Sequence, residues 1–207
     1  MTPDHPLWRA QLGCEEQESD YAVDEDGGTE LLSIAYSAER MRPSVRFSGE
    51  GRVNCRGIPV LYLSTCAETA VSEVRPHCGA EVTVSCFRAH HPLRVVDCSQ
   101  GYDADERRHV FQEAPTLDSI WHGLSKLMVT PLYDLTRTEQ YATTQIVAEH
   151  IRRAGYDGLK FKSSLGCGEN LALFDPDAAK AVSGDVVRVT RVQVEIERGD
   201  RWTRGWP

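Results

Sequence analysis

The chain has 207 residues, 41% hydrophobic and 26% charged, which is the composition of a folded globular protein and excludes a disordered chain. One domain accommodates this length and can bury most of its apolar surface without staples. Twenty-three basic residues against 31 acidic ones leave a net charge of −8, which repels a phosphate backbone and disfavours direct nucleic-acid binding, while a focused arginine pocket for a small anion stays open.

The N-terminus, "MTPDHPLWRAQLGCEEQESD", has no basic start followed by an apolar core, and no run of about 18 apolar residues occurs anywhere. Neither a secretory signal nor a membrane span is expected, and the expected location is the cytoplasm. The seven cysteines are odd in number and never spaced Cys-x-x-Cys. They read as reduced thiols packed as small hydrophobes. Residues 15–30, acidic and glycine-containing without an apolar period, read as an exposed loop.

"IPVLYLS" (58–64) suits a largely buried strand, and Thr65 with Glu68 forms a Thr-x-x-Glu capping box that predicts a helix from near Cys66, stopped by Pro76. Strands are expected at 81–89 and 93–99, separated by "HHP". A helix is expected over 117–128, where Leu117, Ile120, Trp121, Leu124 and Met128 share a face. A second runs from about Glu139 to Arg153, with Thr136 and Glu139 as its capping box, a Val147, Ile151 and Ala154 stripe, and Gly155 as its stop. "DGLKFKSS" and "NLALFDP" read as strands joined by "LGCGE". The closing "VVRVTRVQVEIE" reads as a strand whose alternation slips near Thr190 and Arg191. The expected fold is a single α+β domain over 1–207 around a mainly antiparallel or mixed sheet with short helices, closing on a strand plus tail over 185–207.

Arg52 lies in "GEGRVN", where glycines allow close approach of a ligand and a guanidinium can hold phosphate or carboxylate bidentately. A surface arginine in a turn is the blander reading and the one local sequence favours, and Arg46 and Arg9 compete for the same role. Glu73, among Ala70, Val71 and Val74, is either a partly buried functional carboxylate or a solvated helix residue paired with Arg75. Tyr62 is a core tyrosine or a platform for a ligand ring. Ser163 and Ser164 end a strand before a glycine-rich loop, where hydroxyls cap a turn or reach a site. His90 and His91, with Cys78 and Cys86, match no zinc spacing. The chain contains no nucleophile elbow, P-loop or dinucleotide fingerprint.

The ordered blocks "GRVNCRGIPVLYLSTCAETAVSEVRP", "TTQIVAEHIRRAGYDGLKFKSS" and "NLALFD" together resemble the RES domain family. The resemblance implies an ADP-ribosyltransferase-like fold and an enzyme acting on NAD+ as substrate, by hydrolysis, phosphorolysis or transfer of ADP-ribose to a protein, with no cofactor and no metal. It implies a toxin paired with an antitoxin bearing an Xre-like helix-turn-helix. The family arginine falls on Arg52, the tyrosine on Tyr62, the glutamate on Glu73 and the serine on Ser164 or its neighbour Ser163. Glu73 would then stabilise positive charge on the ribose, Arg52 would hold a polar group such as the pyrophosphate, Tyr62 would pack on a ring, and Ser164 would bond ribose or the nicotinamide amide. The 15–45 region, the tail and Val53 depart from the short members and place the chain with the longer branch. A non-catalytic interaction module is the reading from another class, and a homodimer is left open.

Overall fold

A computed structural model describes residues 1–23, 29–100, 117–130 and 141–194. Nine strands are described: β1 (Leu7–Leu12), β2 (Glu15–Val23), β3 (Thr29–Ile34), β4 (Leu61–Ser64), β5 (Glu81–Ala89), β6 (Val95–Asp97), β7 (Gly158–Lys162), β8 (Glu169–Leu173) and β9 (Ala179–Arg188). Three helices are α1 (Ala67–Glu73), α2 (Leu117–Val129) and α3 (Ala142–Arg153). Seven strands form one sheet in the order β6-β7-β8-β4-β1-β5-β9, while β2 and β3 form a separate pair. Every pairing is antiparallel except β6 with β7. The class is therefore α+β around a mainly antiparallel sheet, as the order of elements predicts.

Alternation along the strands splits the core in two. Leu61 and Leu63 of β4, Leu171 and Leu173 of β8, Leu7 and Phe87 pack together on one face. On the other, Tyr62, Ala172, Leu159 and Phe161 meet the apolar stripes of α2 and α3 through Met128, Ala148, Val147 and Ile151. Ala70 of α1 packs on Ala10, Val82 and Val84, over β1 and β5. The α1 helix and the α2–α3 pair thus leave the middle of the sheet uncovered between them. There β1 and β4 share a ladder of a single pair, Trp8 with Ser64.

The structure corrects several expectations. Where the expected loop of 15–30 is described it is strand: Glu15–Val23 pairs antiparallel with Thr29–Ile34, with an irregularity between Glu18 and Val23, and residues 24–28 lie outside the described residues. The Thr65–Glu68 capping box does not form. Cys66 is the N-cap without a side-chain cap bond, because Thr65 Oγ1 accepts from the backbone N–H of Glu169 instead. The last strand starts at Ala179, earlier than expected, and ends at Arg188. Its β-structure stops just before the expected slip at Thr190 and Arg191, and the tail from 195 lies outside the described residues. Gly155, at φ 81°, ends α3 as expected. The Thr136–Glu139 box also lies outside the described residues.

Candidate active site

The gap between α1 and the α2–α3 pair is a cleft of about 440 Å³ whose wall includes Arg9, Arg52, Tyr62, Glu73, Arg75, Tyr141, Ser164 and Asn170. Its volume is that of a small-molecule site.

On the α1 side, the glycine-rich loop of "LGCGE" determines the geometry. A Cβ on Gly166 would sit 2.9 Å from the Thr69 Cα, and one on Gly168 would sit 2.7 Å from Thr69 Oγ1. Only a loop without side chains there can lie against α1, and Gly168 N–H donates to Thr69 Oγ1 at 3.0 Å. The β7–β8 connection is thereby drawn onto the helix that carries Glu73. Ser163 Oγ donates to Glu73 Oε1 at 2.7 Å and itself accepts from the N–H groups of Leu165 and Gly166. Asn170 Nδ2 donates to the same Oε1 at 2.6 Å, while its Oδ1 accepts from Ser64 Oγ at 2.8 Å.

Glu73 is therefore exposed rather than partly buried, yet one of its oxygens is fixed by two donors. Among the described residues no hydrogen bond reaches Oε2. The two serines separate in role by position: Ser163 stands behind the carboxylate, and Ser164, exposed, lines the cleft.

On the opposite side, Arg52 sits in a turn that is clamped from four directions. Tyr62 Oη donates to Asn54 Oδ1 at 2.7 Å and accepts from Val53 N–H at 3.1 Å. Asn54 Nδ2 reaches the carbonyls of Gly49, Cys55 and Ile58. Gln145 Nε2 lies on the Gly51 and Asn54 carbonyls, and Thr144 Oγ1 lies on the Arg52 carbonyl. A Cβ at Gly51 would stand 2.6 Å from Asn54 Oδ1 and 2.7 Å from Tyr62 Oη, so only glycine admits this contact. Burial pushes the Tyr62 phenol above its ordinary range, which keeps it a hydroxyl able to donate.

The Arg52 side chain crosses to the end of α2, where Nη1 donates to the Leu127 and Thr130 carbonyls at 3.2 and 3.1 Å. A cation suits a helix C-terminus. Its guanidinium lies 6.0 Å from the Tyr141 ring and 5.9 Å from the Phe161 ring. Burial pulls its pKa below the ordinary value, against the opposing pull of Tyr141, Glu73 and Tyr62. An arginine stays charged under such a shift, so the cleft places a cation and a carboxylate on facing walls.

Two further residues join the site. Arg9, in the sequence only a competitor of Arg52, stands beside it on the cleft wall. Its Nη1 donates to the Tyr62 carbonyl at 3.0 Å, across the gap where β1 and β4 part. Its Nε is buried and has no hydrogen-bond partner among the described residues. Asn170 has no local signal beyond its place at the start of "NLALFD", and sequence reasoning misses it. Arg46 is exposed and off the cleft wall. His90 and His91 are exposed, and among the described residues no group of three His, Cys, Asp or Glu is placed to hold a metal ion.

No helix among the described residues is long and apolar enough to cross a membrane. No curated protein matches the chain in sequence. Among solved structures, the fold is similar to one described as the crystal structure of the M. tuberculosis MbcT–MbcA toxin–antitoxin complex. That likeness has 13% identity and a TM-score of 0.41 over 88% of this chain and 87% of that one. The sequence profile of the RES domain matches residues 28–192, most of the chain, which therefore belongs to the RES domain family.

Proposed function

We propose that the chain is an NAD+-degrading enzyme that cleaves the nicotinamide–ribose bond, as a glycohydrolase or phosphorylase, and serves as the toxin of a pair with an Xre-like antitoxin. The observation that carries this reading is the Glu73 carboxylate, fixed through Oε1 by Ser163 and Asn170 on the wall of a cleft that also holds Arg52. Family membership supports it.

Breaking the bond between ribose C1′ and the nicotinamide nitrogen sends the bonding electrons to nicotinamide, which leaves neutral, and positive charge builds on the sugar. A carboxylate held rigidly beside the ribose stabilises that charge without reorganising. Oε2 is the oxygen left to face the sugar. Water or phosphate then bonds to C1′; water loses a proton and yields ADP-ribose, phosphate yields its 1″-phosphate. Arg52 contributes positive charge toward the polar part of the dinucleotide, Ser164 a hydroxyl for ribose or the nicotinamide amide, and Ser163 holds the glutamate. The Tyr62 hydroxyl is occupied by Asn54 and Val53, so Tyr62 offers its ring to the cleft and its hydroxyl to the turn. The reaction needs no added cofactor, NAD+ being the substrate.

Incubation of the pure protein with NAD+, in phosphate and in phosphate-free buffer, tests the reading by mass spectrometry. Release of nicotinamide with ADP-ribose or its 1″-phosphate is expected. Intact NAD+ under every buffer overturns it, and an adduct on protein would replace it with ADP-ribose transfer.

A further inference from the structure

A second cavity of about 600 Å³ adjoins the cleft and shares Arg9, Gly51 and Tyr62 with it. The segment before Gly51 supplies its far wall, including Arg40 and Arg42. Neither of these arginines has a role in the bond cleavage described above.

The chemistry of the cavity is that of an anion site. Three guanidinium groups line it against a single carboxylate, Glu50, which already accepts from Gln145 Nε2. Arg42 is paired with Asp177. Arg40 lies over the Tyr36 ring at 3.5 Å, a stacking that fixes the plane of the fork while leaving its N–H edge available. The Ser44 hydroxyl adds a neutral donor, while that of Ser48 is already given to the Ser44 carbonyl. Independently, the buried Arg9 Nε lacks an acceptor among the described residues, and a buried donor left unpaired in a native fold calls for one. Arg9 stands between the two spaces, so an anion entering the second cavity would meet its charge, while the Nε itself is closed to solvent.

We propose that this second cavity binds a phosphate-class anion. Its source is either the diphosphate-bearing half of the dinucleotide, reaching past Gly51, or a free phosphate. The dinucleotide source rests on the function proposed above; the anion site itself does not.

The test uses the full chain and calorimetric titration with ADP and with inorganic phosphate, on the wild type and on Arg40→Gln, Arg9→Lys and Glu73→Gln. Arg40 is exposed and its replacement leaves folding intact; Arg9→Lys probes the shared wall. ADP is expected to bind the wild type and Glu73→Gln alike, and to bind Arg40→Gln about 10- to 100-fold more weakly, the loss that goes with a charged hydrogen bond. Phosphate that competes with ADP marks the free-anion source. ADP binding indifferent to phosphate, together with a KM for NAD+ but not for nicotinamide mononucleotide raised by Arg40→Gln, marks the dinucleotide source. No binding of either probe, or equal binding by Arg40→Gln, overturns the proposal. NAD+ cleavage by that same preparation would leave the proposed function standing, whereas anion binding without cleavage would sink the function and spare the site.

Discussion

The two walls of the cleft are held in opposite ways. On the α1 wall the side chain of Glu73 is itself the thing held: one of its oxygens is fixed by Ser163 and Asn170, and the residue lines the cleft. On the α2–α3 wall the backbone is what is held. Tyr62, Asn54, Thr144 and Gln145 clamp the turn, while the Arg52 side chain is anchored at its tip by the Leu127 carbonyl of α2 and the Thr130 carbonyl just past it. The carboxylate is preorganised for a ligand; the arginine is preorganised for a helix end and shares its remaining N–H groups with whatever enters. In the proposed reaction the α1 wall acts on the transition state and should govern kcat. In the same proposal the opposite wall receives charge and should govern KM.

Glu73→Gln is the strongest way to break that contrast. The amide oxygen can still accept from Ser163 and Asn170, so the shape stays and the charge goes. The expected fall in kcat is about 10²–10³-fold, read from nicotinamide release with KM little changed; a KM effect alone would erase the distinction between the walls. Asn170→Ala comes next. It removes a donor from Glu73 and strands the buried Ser64 hydroxyl, so kcat should fall and thermal unfolding should show a cost of about 1–3 kcal/mol. Ser163→Ala, at a more exposed site, should lower kcat with less loss of stability.

On the other wall, Arg52→Lys keeps a charge but loses the planar Nη1 that donates to both the Leu127 and the Thr130 carbonyls. The expected result is a rise in KM for NAD+ of about tenfold, the scale of one charged hydrogen bond, with kcat nearly kept. The smallest effect belongs far from both walls. Hydrogen bonds from Arg152 and Arg153 hold the Glu149 carboxyl down to about 2, from an ordinary 4.5. A carboxyl whose pKa is lowered by folding stabilises fully above its unfolded value and loses that contribution as pH falls through the folded one. Glu149→Gln should thus lower the thermal midpoint slightly at neutral pH, with the difference from wild type closing towards pH 2, and should leave turnover alone.

Elements with a strong period of their own are legible in the sequence. β5 spans the residues expected, and α2 and the body of α3 form where their periods place them, although Leu117 and Ile120 of the expected α2 stripe stay exposed. The 15–30 segment reads wrongly as a loop because β2 pairs only with β3 and not with the main sheet. Leu31, Leu32 and Ile34 of that hairpin stay exposed, so no buried face writes a period of two into the sequence. The capping box fails for another reason: a hydroxyl that satisfies the local rule is claimed by Glu169, 104 residues away. The site divides the same way. Motif blocks are enough to name the positions of Arg52, Tyr62, Glu73 and Ser164, and the structure puts them on one cleft. Asn170 and the placement of Arg9 are not legible, because each acquires its meaning from a partner 97 or 53 residues away.

Those separations bear on the order of assembly. The bonds that set Glu73 run to Ser163 and Asn170, 90 and 97 residues downstream, and Ser64 reaches 106 residues to Asn170. Contacts of such high order form after local ones, since the closure entropy of the intervening chain must first be met. A nascent chain that has made α1 but not β8 carries the glutamate without its orientation. The ribosome must deliver "NLALFD" before the carboxylate is set, and so the catalytic arrangement proposed here cannot form until β8 has been made.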